Sequence, residues 1–137
     1  MAASPEEIAL ARRTRTAIDR DAKSMAVTIH IPLEVWENIG PRTVARITQI
    51  FPKALLHHAT AATHYGDGNA DFLGIKGQFA ELWRKIMPLK RAMWDGEKLT
   101  REQPPEIIKD LIGHCLLALQ MYEDGLNPPD PQLKDMR

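Results

Sequence analysis

The sequence predicts an all-α helical bundle with a basic N-terminal arm and a short extended segment. Three long segments repeat apolar residues every three or four positions, as one face of a helix requires. Gly, Pro and Asp punctuate the chain between them. Only one short segment alternates with the two-residue period of a strand. At 137 residues, 44% hydrophobic and 26% charged, the chain is long enough for one core and short for two. Residues 1–24 are read as the arm, 25–125 as a single helical domain and 126–137 as a Pro-rich tail.

In chain order, Ser4-Pro5-Glu6-Glu7 is a helix start: Ser4 caps, Pro5 suits the first helical position and Glu7 completes a capping box. The helix expected to follow is thin in apolar residues and crowded by Arg12, Arg13, Arg15 and Arg20, so it reads as a loosely attached arm. Residues 25–31 alternate Val27, Ile29 and Ile31 with Thr28 and His30, the strand period. With no second strand pattern to pair with, the expectation is extended chain rather than sheet. Residues 33–39 read as a short helix anchored by Trp36 and broken by Gly40-Pro41.

The first core helix is expected over residues 42–65, with Val44, Ile47, Phe51, Leu55, His58, Ala62 and Tyr65 inward. Pro52 cannot donate to the Thr48 carbonyl, which predicts a kink, or two shorter helices meeting near Phe51. The Gly66-Asp67-Gly68-Asn69 run stops the helix. A second is expected over residues 71–94, carrying Phe72, Ile75, Phe79, Leu82, Ile86, Leu89 and Met93 inward and bent at Pro88. The last starts at Pro104-Pro105 and carries Ile108, Leu111, Ile112, Cys115, Leu119 and Tyr122 inward. Beyond Gly125, Asn127-Pro128-Pro129-Asp130-Pro131 has too few donors and no apolar face, and reads as extended or disordered.

Composition narrows the function. A single cysteine, Cys115, forms no intramolecular disulfide, and a reducing cytoplasm is the expected compartment. No signal-like or membrane-spanning apolar run is present. The formal net charge of zero hides a division. Residues 74–101 hold seven Lys or Arg against three Asp or Glu, whereas residues 102–137 hold three against seven. Two readings of this asymmetry stand together: neighbouring helices or subunits attract one another, or the basic side receives a polyanion. A neutral chain is a poor candidate for general duplex binding, which needs many phosphates neutralised.

Chemistry-bearing residues concentrate on the last two helices. Glu106, Asp110 and His114 follow at intervals of four on one flank. Two carboxylates so placed suit magnesium, which commonly takes one or two carboxylates together with water and substrate phosphates; they equally suit a helix N-terminal dipole and ordinary ion pairs. Gly113, lacking a side chain, invites close approach of another backbone. On the preceding helix Arg84, Lys85, Lys90 and Arg91 can hold phosphate by charge-assisted hydrogen bonds, Arg84 supplying a bidentate fork. Glu81 precedes Lys85 at the favourable helix spacing. His57, His58 and His64 match no closed zinc motif. No P-loop is present, and Gly74-Ile75-Lys76-Gly77 is too short for a dinucleotide fingerprint.

The run Tyr65-Gly66-Asp67, then Phe72-Leu73-Gly74-Ile75-Lys76-Gly77, then Trp83-Arg84-Lys85-Ile86 with Leu89-Lys90-Arg91, and finally residues 106–114, resembles the nucleotide modification associated domains of phages and bacteria. Those domains are similar to the MazG-like all-α nucleoside triphosphate pyrophosphatases. The likeness spans about residues 44–122. It implies a MazG-like helical bundle, assembly into a homo-oligomer and a nucleotide or nucleotide-derived ligand in phage or bacterial nucleotide metabolism or counter-defence. It also implies magnesium on Glu81, Glu106 and Asp110, with Arg84, Lys85, Lys90, Arg91 and His114 on the ligand. The MazG-like pattern, a Glu-Glu-x-x-Glu run followed by a Glu-x-x-Asp pair, is incomplete in this chain. Asp110 matches the last acid, but Ile107 stands three before it, and Glu81 is the sole carboxylate of the first run, with Lys85 near a position where another acid is expected. The expectation is therefore a binder with weak or no hydrolysis, and the alternative a magnesium-dependent pyrophosphatase.

Overall fold

The computed structural model describes residues 4–5, 15–19 and 23–126. The chain is mainly helical, as expected, and among the described residues no helix is long and apolar enough to cross a membrane. Two compact units divide it, residues 42–122 forming one and residues 1–41 with 123–137 the other. The N-terminal helix expected after Ser4 and the Pro-rich tail fall mostly on residues 6–14 and 127–137, outside the described residues.

In the smaller unit the extended segment does find a partner. Strand β1 (Arg15–Asp19) pairs antiparallel with β2 (Ser24–Thr28), Ala17 opposite Ala26. The strand period expected over residues 25–31 is realised only as far as Thr28, in a sheet rather than as unpaired extended chain, and its partner lies in a segment that reads as helical arm. The face expected to be buried is not: β2 is exposed along its length, as a lone hairpin leaves it. A short helix, α1 (Leu33–Trp36), follows. It is extended by a turn in which the Asn38 side-chain Nδ2 donates to the Glu34 carbonyl at 2.6 Å.

Three helical segments build the larger unit. Helix α2 (Pro41–Ala45) widens into a π-helical turn (Arg46–Ile50) and continues as α3 (Phe51–Leu89). The disturbance expected at Pro52 takes the form of this π turn, closed where the Phe51 N–H donates to the Arg46 carbonyl. Helix α3 is interrupted twice, at Gly66 (φ 70°, ψ 158°) and Gly74 (φ 63°, ψ −175°). Both lie in a backbone region that is essentially glycine-only. The first break falls where the Gly-rich run places it; the second is unexpected, because Gly74 stands inside an apparently continuous apolar stripe. Beyond Gly74, residues 75–89 are helical. Pro88, where a bend is expected, lies inside the helix, and a second π turn (Lys90–Trp94) follows, where the Asp95 N–H reaches back to the Lys90 carbonyl at 3.2 Å. Helix α4 (Pro104–Leu126) is the last element among the described residues.

The buried faces differ from those the apolar stripes predict. In residues 75–89 the burial falls on Gln78 and Lys85, with Leu82 and Leu89 partly covered, while Ile75, Phe79 and Ile86 are exposed. In α4 it falls on Ile107 and Gly113, and Ile108, Cys115, Leu119 and Tyr122 face out. The faces are rotated because paired polar groups take the interior. Among the described apolar side chains only Ala54 and Ile107 are buried.

Candidate functional site

Asp110, nearly two turns into α4, is where the three long helical segments meet. One carboxylate oxygen accepts from His57 Nε2 at 2.7 Å, and the other accepts from Lys85 Nζ at 2.8 Å. His57 comes from the first stretch of α3, before the Gly66 break, and Lys85 from the stretch after Gly74. The same ammonium donates to Glu102, in the loop before α4, at 2.8 Å. Lys85 thus bridges two carboxylates. Its side chain is only 9% exposed, against 25% for Asp110 and 55% for Glu102.

The electrostatics follow from these contacts. Burial opposes ionisation of Asp110, but the hydrogen bonds from Lys85 and His57 outweigh it and hold the carboxyl below its usual range. Burial likewise works against the Lys85 ammonium, and the bonds to Asp110 and Glu102 overcome it, leaving its pKa raised. Each charge is retained because the other is present. His57 Nδ1 faces Glu106 Oε2 at 3.7 Å, and Glu106 also accepts from Lys109 at 3.3 Å.

A second polar pair lies one turn along α4. His114 Nδ1 donates to the Gln78 side-chain oxygen at 2.8 Å, and Gln78 is fully buried. Burial lowers the His114 pKa, so the ring holds its neutral form, with Nδ1–H donating and Nε2 left as an acceptor. Beside it, Gly113 admits the His58 ring: a Cβ there would lie 3.1 Å from His58 Nδ1. The close approach expected at this glycine is therefore made by a side chain rather than by a backbone.

These groups line a cleft of about 310 Å³, at the lower end of the range for small-molecule sites. Lys85, Glu102, Lys109 and Asp110 form its charged wall, His57, His58 and His114 an imidazole wall, and Ala61, Ala62, Leu117 and the exposed Tyr65 ring an apolar one. Sequence reasoning placed Lys85, Asp110 and His114 among the site residues, and all three line this cleft. Glu106 stands at its edge through His57 and Lys109. The remaining candidates do not line it. Arg84 is exposed and bonded to Glu81 at 2.6 Å, a contact that lowers the Glu81 pKa and raises that of Arg84. Lys90 pairs with Asp95 at 3.1 Å in the second π turn, beside Arg91. Among the described residues no group of three or more His, Cys, Asp or Glu side chains is placed to hold a metal ion. Sequence reasoning missed Glu102 and Lys109 and left His57 without a role. Lys109 carried a signal, three residues beyond Glu106 on the same helix flank; Glu102, in a charged loop, carried none.

No family model, curated protein or solved structure matches the chain.

Proposed function

We propose that the larger unit binds a nucleotide or nucleotide-derived metabolite, in the manner of the MazG-like domains its sequence resembles, with weak or no hydrolysis, and that it works as a homo-oligomer in phage or bacterial nucleotide metabolism or counter-defence. The observation that carries the reading is the Lys85 ammonium, held at 2.8 Å from both Glu102 and Asp110 on the wall of a ligand-sized cleft. A cation between two carboxylates is the arrangement a magnesium site supplies, and in this chain the cation belongs to the protein. Both Asp110 oxygens are already engaged, by Lys85 and His57. Magnesium on Asp110 would compete with the positive charge of Lys85 for the same carboxylate.

The wall has chemistry for each part of a nucleotide. Lys85 has three N–H donors, and the two carboxylates take two. Lys109 adds a second ammonium, the neutral His114 offers an acceptor, and the Tyr65 ring gives a flat face for a base. The two ammonium groups are balanced by Glu102 and Asp110, which favours a ligand with one phosphate group over a highly charged triphosphate. The magnesium-dependent pyrophosphatase remains the rival reading, supported by the two carboxylates Glu106 and Asp110 that face the same His57 ring at 3.7 and 2.7 Å.

Thermal shift against a panel of nucleoside mono-, di-, tri- and cyclic phosphates, with and without magnesium, tests the proposal. Ligand at 100 times its dissociation constant should stabilise the fold by about 2.7 kcal/mol. The expected result is stabilisation by a monophosphate-class ligand without magnesium, with the nucleotide recovered intact. Robust metal-dependent turnover of any triphosphate by the wild-type protein overturns it in favour of the pyrophosphatase.

A further inference from the structure

Lys85 is held by two carboxylates of unequal strength. Asp110 is three-quarters covered and accepts a second hydrogen bond, from His57 at 2.7 Å, so it is fixed from two sides. Glu102 is 55% exposed, and among the described residues only Lys85 donates to its side chain. The backbone beside Glu102 is tied down: Gln103 Nε2 donates to the Leu99 carbonyl at 3.1 Å, and the Gln103 carbonyl accepts from the Glu106 and Ile107 N–H groups at 3.1 and 3.2 Å. Glu102 can therefore leave Lys85 by turning its side chain into solvent, with the loop unmoved. An ion pair with a half-exposed partner contributes little, whereas a covered, charge-assisted bond such as that to Asp110 is strong. Lys109, the other ammonium on the cleft wall, is held in the same loose way, 3.3 Å from a Glu106 carboxylate that is 53% exposed.

We propose that the Glu102 carboxylate is a built-in occupant of a phosphate subsite, and that the phosphate of a phosphate-monoester ligand takes its place on Lys85 while Asp110 stays bound. This rests on the nucleotide reading of the preceding section and adds where the phosphate sits and what it displaces. Lys85 is only 9% exposed, too covered for its ammonium to give up a carboxylate without a replacement. Water brings no charge. A phosphate monoester brings about two negative charges and three acceptor oxygens, enough to accept the Lys85 N–H that Glu102 vacates together with the third N–H, and to face Lys109 as well. With Glu102 turned away, Lys85 and Lys109 outnumber Asp110 on the charged wall, so the cleft attracts an anion only as its own carboxylate leaves. A neutral nucleoside offers nothing in exchange, and the tethered carboxylate competes at the high effective concentration of an intramolecular group. Glu102 thereby restricts the subsite to ligands that carry a phosphate.

Titration of the full chain with inorganic phosphate, followed by NMR at fixed ionic strength and about pH 8, where a phosphate group carries close to two charges, tests the exchange. Circular dichroism confirms that each variant folds. E102Q should bind phosphate ~5-fold more tightly than the wild type, the upper ratio for one exposed ion pair. Lys85→Met should abolish binding. E97Q removes the same charge from an exposed position in the same loop that does not line the cleft, and it should leave the affinity unchanged. Equal phosphate affinity in the wild type and E102Q, or an equal gain in E97Q, overturns the exchange and leaves the nucleotide reading standing. The expected series with inorganic phosphate, but no nucleoside monophosphate bound by either protein, overturns the nucleotide reading and leaves the exchange standing. Phosphate bound by neither protein, or bound as well by Lys85→Met, overturns the phosphate subsite and the exchange with it.

Discussion

Lys85→Met removes the ammonium that joins Glu102 to Asp110 while keeping most of the side chain's volume, and its effect follows from the exposure of the two partners. Glu102 is more than half exposed, so its share is that of a surface ion pair, about 0–1 kcal/mol. Asp110 is three-quarters covered and loses a charge-assisted hydrogen bond, which contributes about 1.5–3 kcal/mol. Its bond to His57 persists, so the full cost of about 3–5 kcal/mol for orphaning a buried charge is not reached. The expected loss is about 2–3 kcal/mol of unfolding free energy. Urea denaturation at fixed protein concentration measures it. Lys85→Met combined with Asp110→Asn should lose less than the sum of the two single variants, with a coupling of about 1–2 kcal/mol. Lys85→Met also uncovers the two carboxylates. Millimolar magnesium or manganese should therefore raise the melting temperature of the variant and not of the wild type. A loss below about 0.5 kcal/mol, the scale of a neutral surface change, or equal metal response in both proteins, would refute the claim that Lys85 stands in a cation's place.

Acidification from about pH 7 to pH 5 should destabilise the protein, because burial holds the folded His114 pKa below its ordinary value of about 6.5. The unfolded chain then binds more protons, so stability present above that value is lost as pH falls through the folded one, and His114→Gln should flatten the response in pH-dependent melting curves. At the alkaline end the sign reverses: the raised Lys85 pKa gives stability that is complete below about 10.4 and is lost as pH rises through the folded value, a limb that Lys85→Met should abolish. Gly66→Ala and Gly74→Ala should each lower the unfolding free energy by about 1–3 kcal/mol, since both glycines adopt φ values that other residues avoid, while Gly125→Ala, with open space around it and no positive φ, should be neutral or mildly stabilising by calorimetry. Lys109→Ala should weaken binding of a phosphorylated ligand more than Arg84→Ala does in titration calorimetry, because only Lys109 lines the cleft.

The helical architecture was legible because long segments repeat apolar residues at helical spacing and because Pro and Gly interrupt them. Pro52 marked the place of a disturbance, though its form, a π turn before Phe51, was not legible. Gly74 did not, since apolar residues on both sides, Phe72 and Ile75, stay in approximate phase across it and disguise the break. The hairpin was half legible. Alternation around Val27 and Ile29 marks one strand, but Arg15–Asp19 has no such alternation, and its pairing is a matter of proximity through the turn rather than of pattern.

Burial was harder to read than secondary structure, and the candidate site shows why. Pattern analysis assigns the apolar side of a helix to its own core, an inference that fails when polar residues on another side are fully paired. Gln78 and Lys85 read as surface letters, yet Gln78 bonds His114, and Lys85 bonds Asp110 and Glu102. Each loses less by desolvation than an unpaired group would. Helix spacing brought Asp110 and His114 to one flank, but no local pattern could bring His57, fifty-three residues earlier, to within 2.7 Å of Asp110. The same pairing that hides Lys85 also releases Phe79 and Trp83 from the interior. The polar cleft and the exposed aromatic stripe are therefore two consequences of one choice of helix face, and a substitution that turned residues 75–89 about their axis would disturb both together.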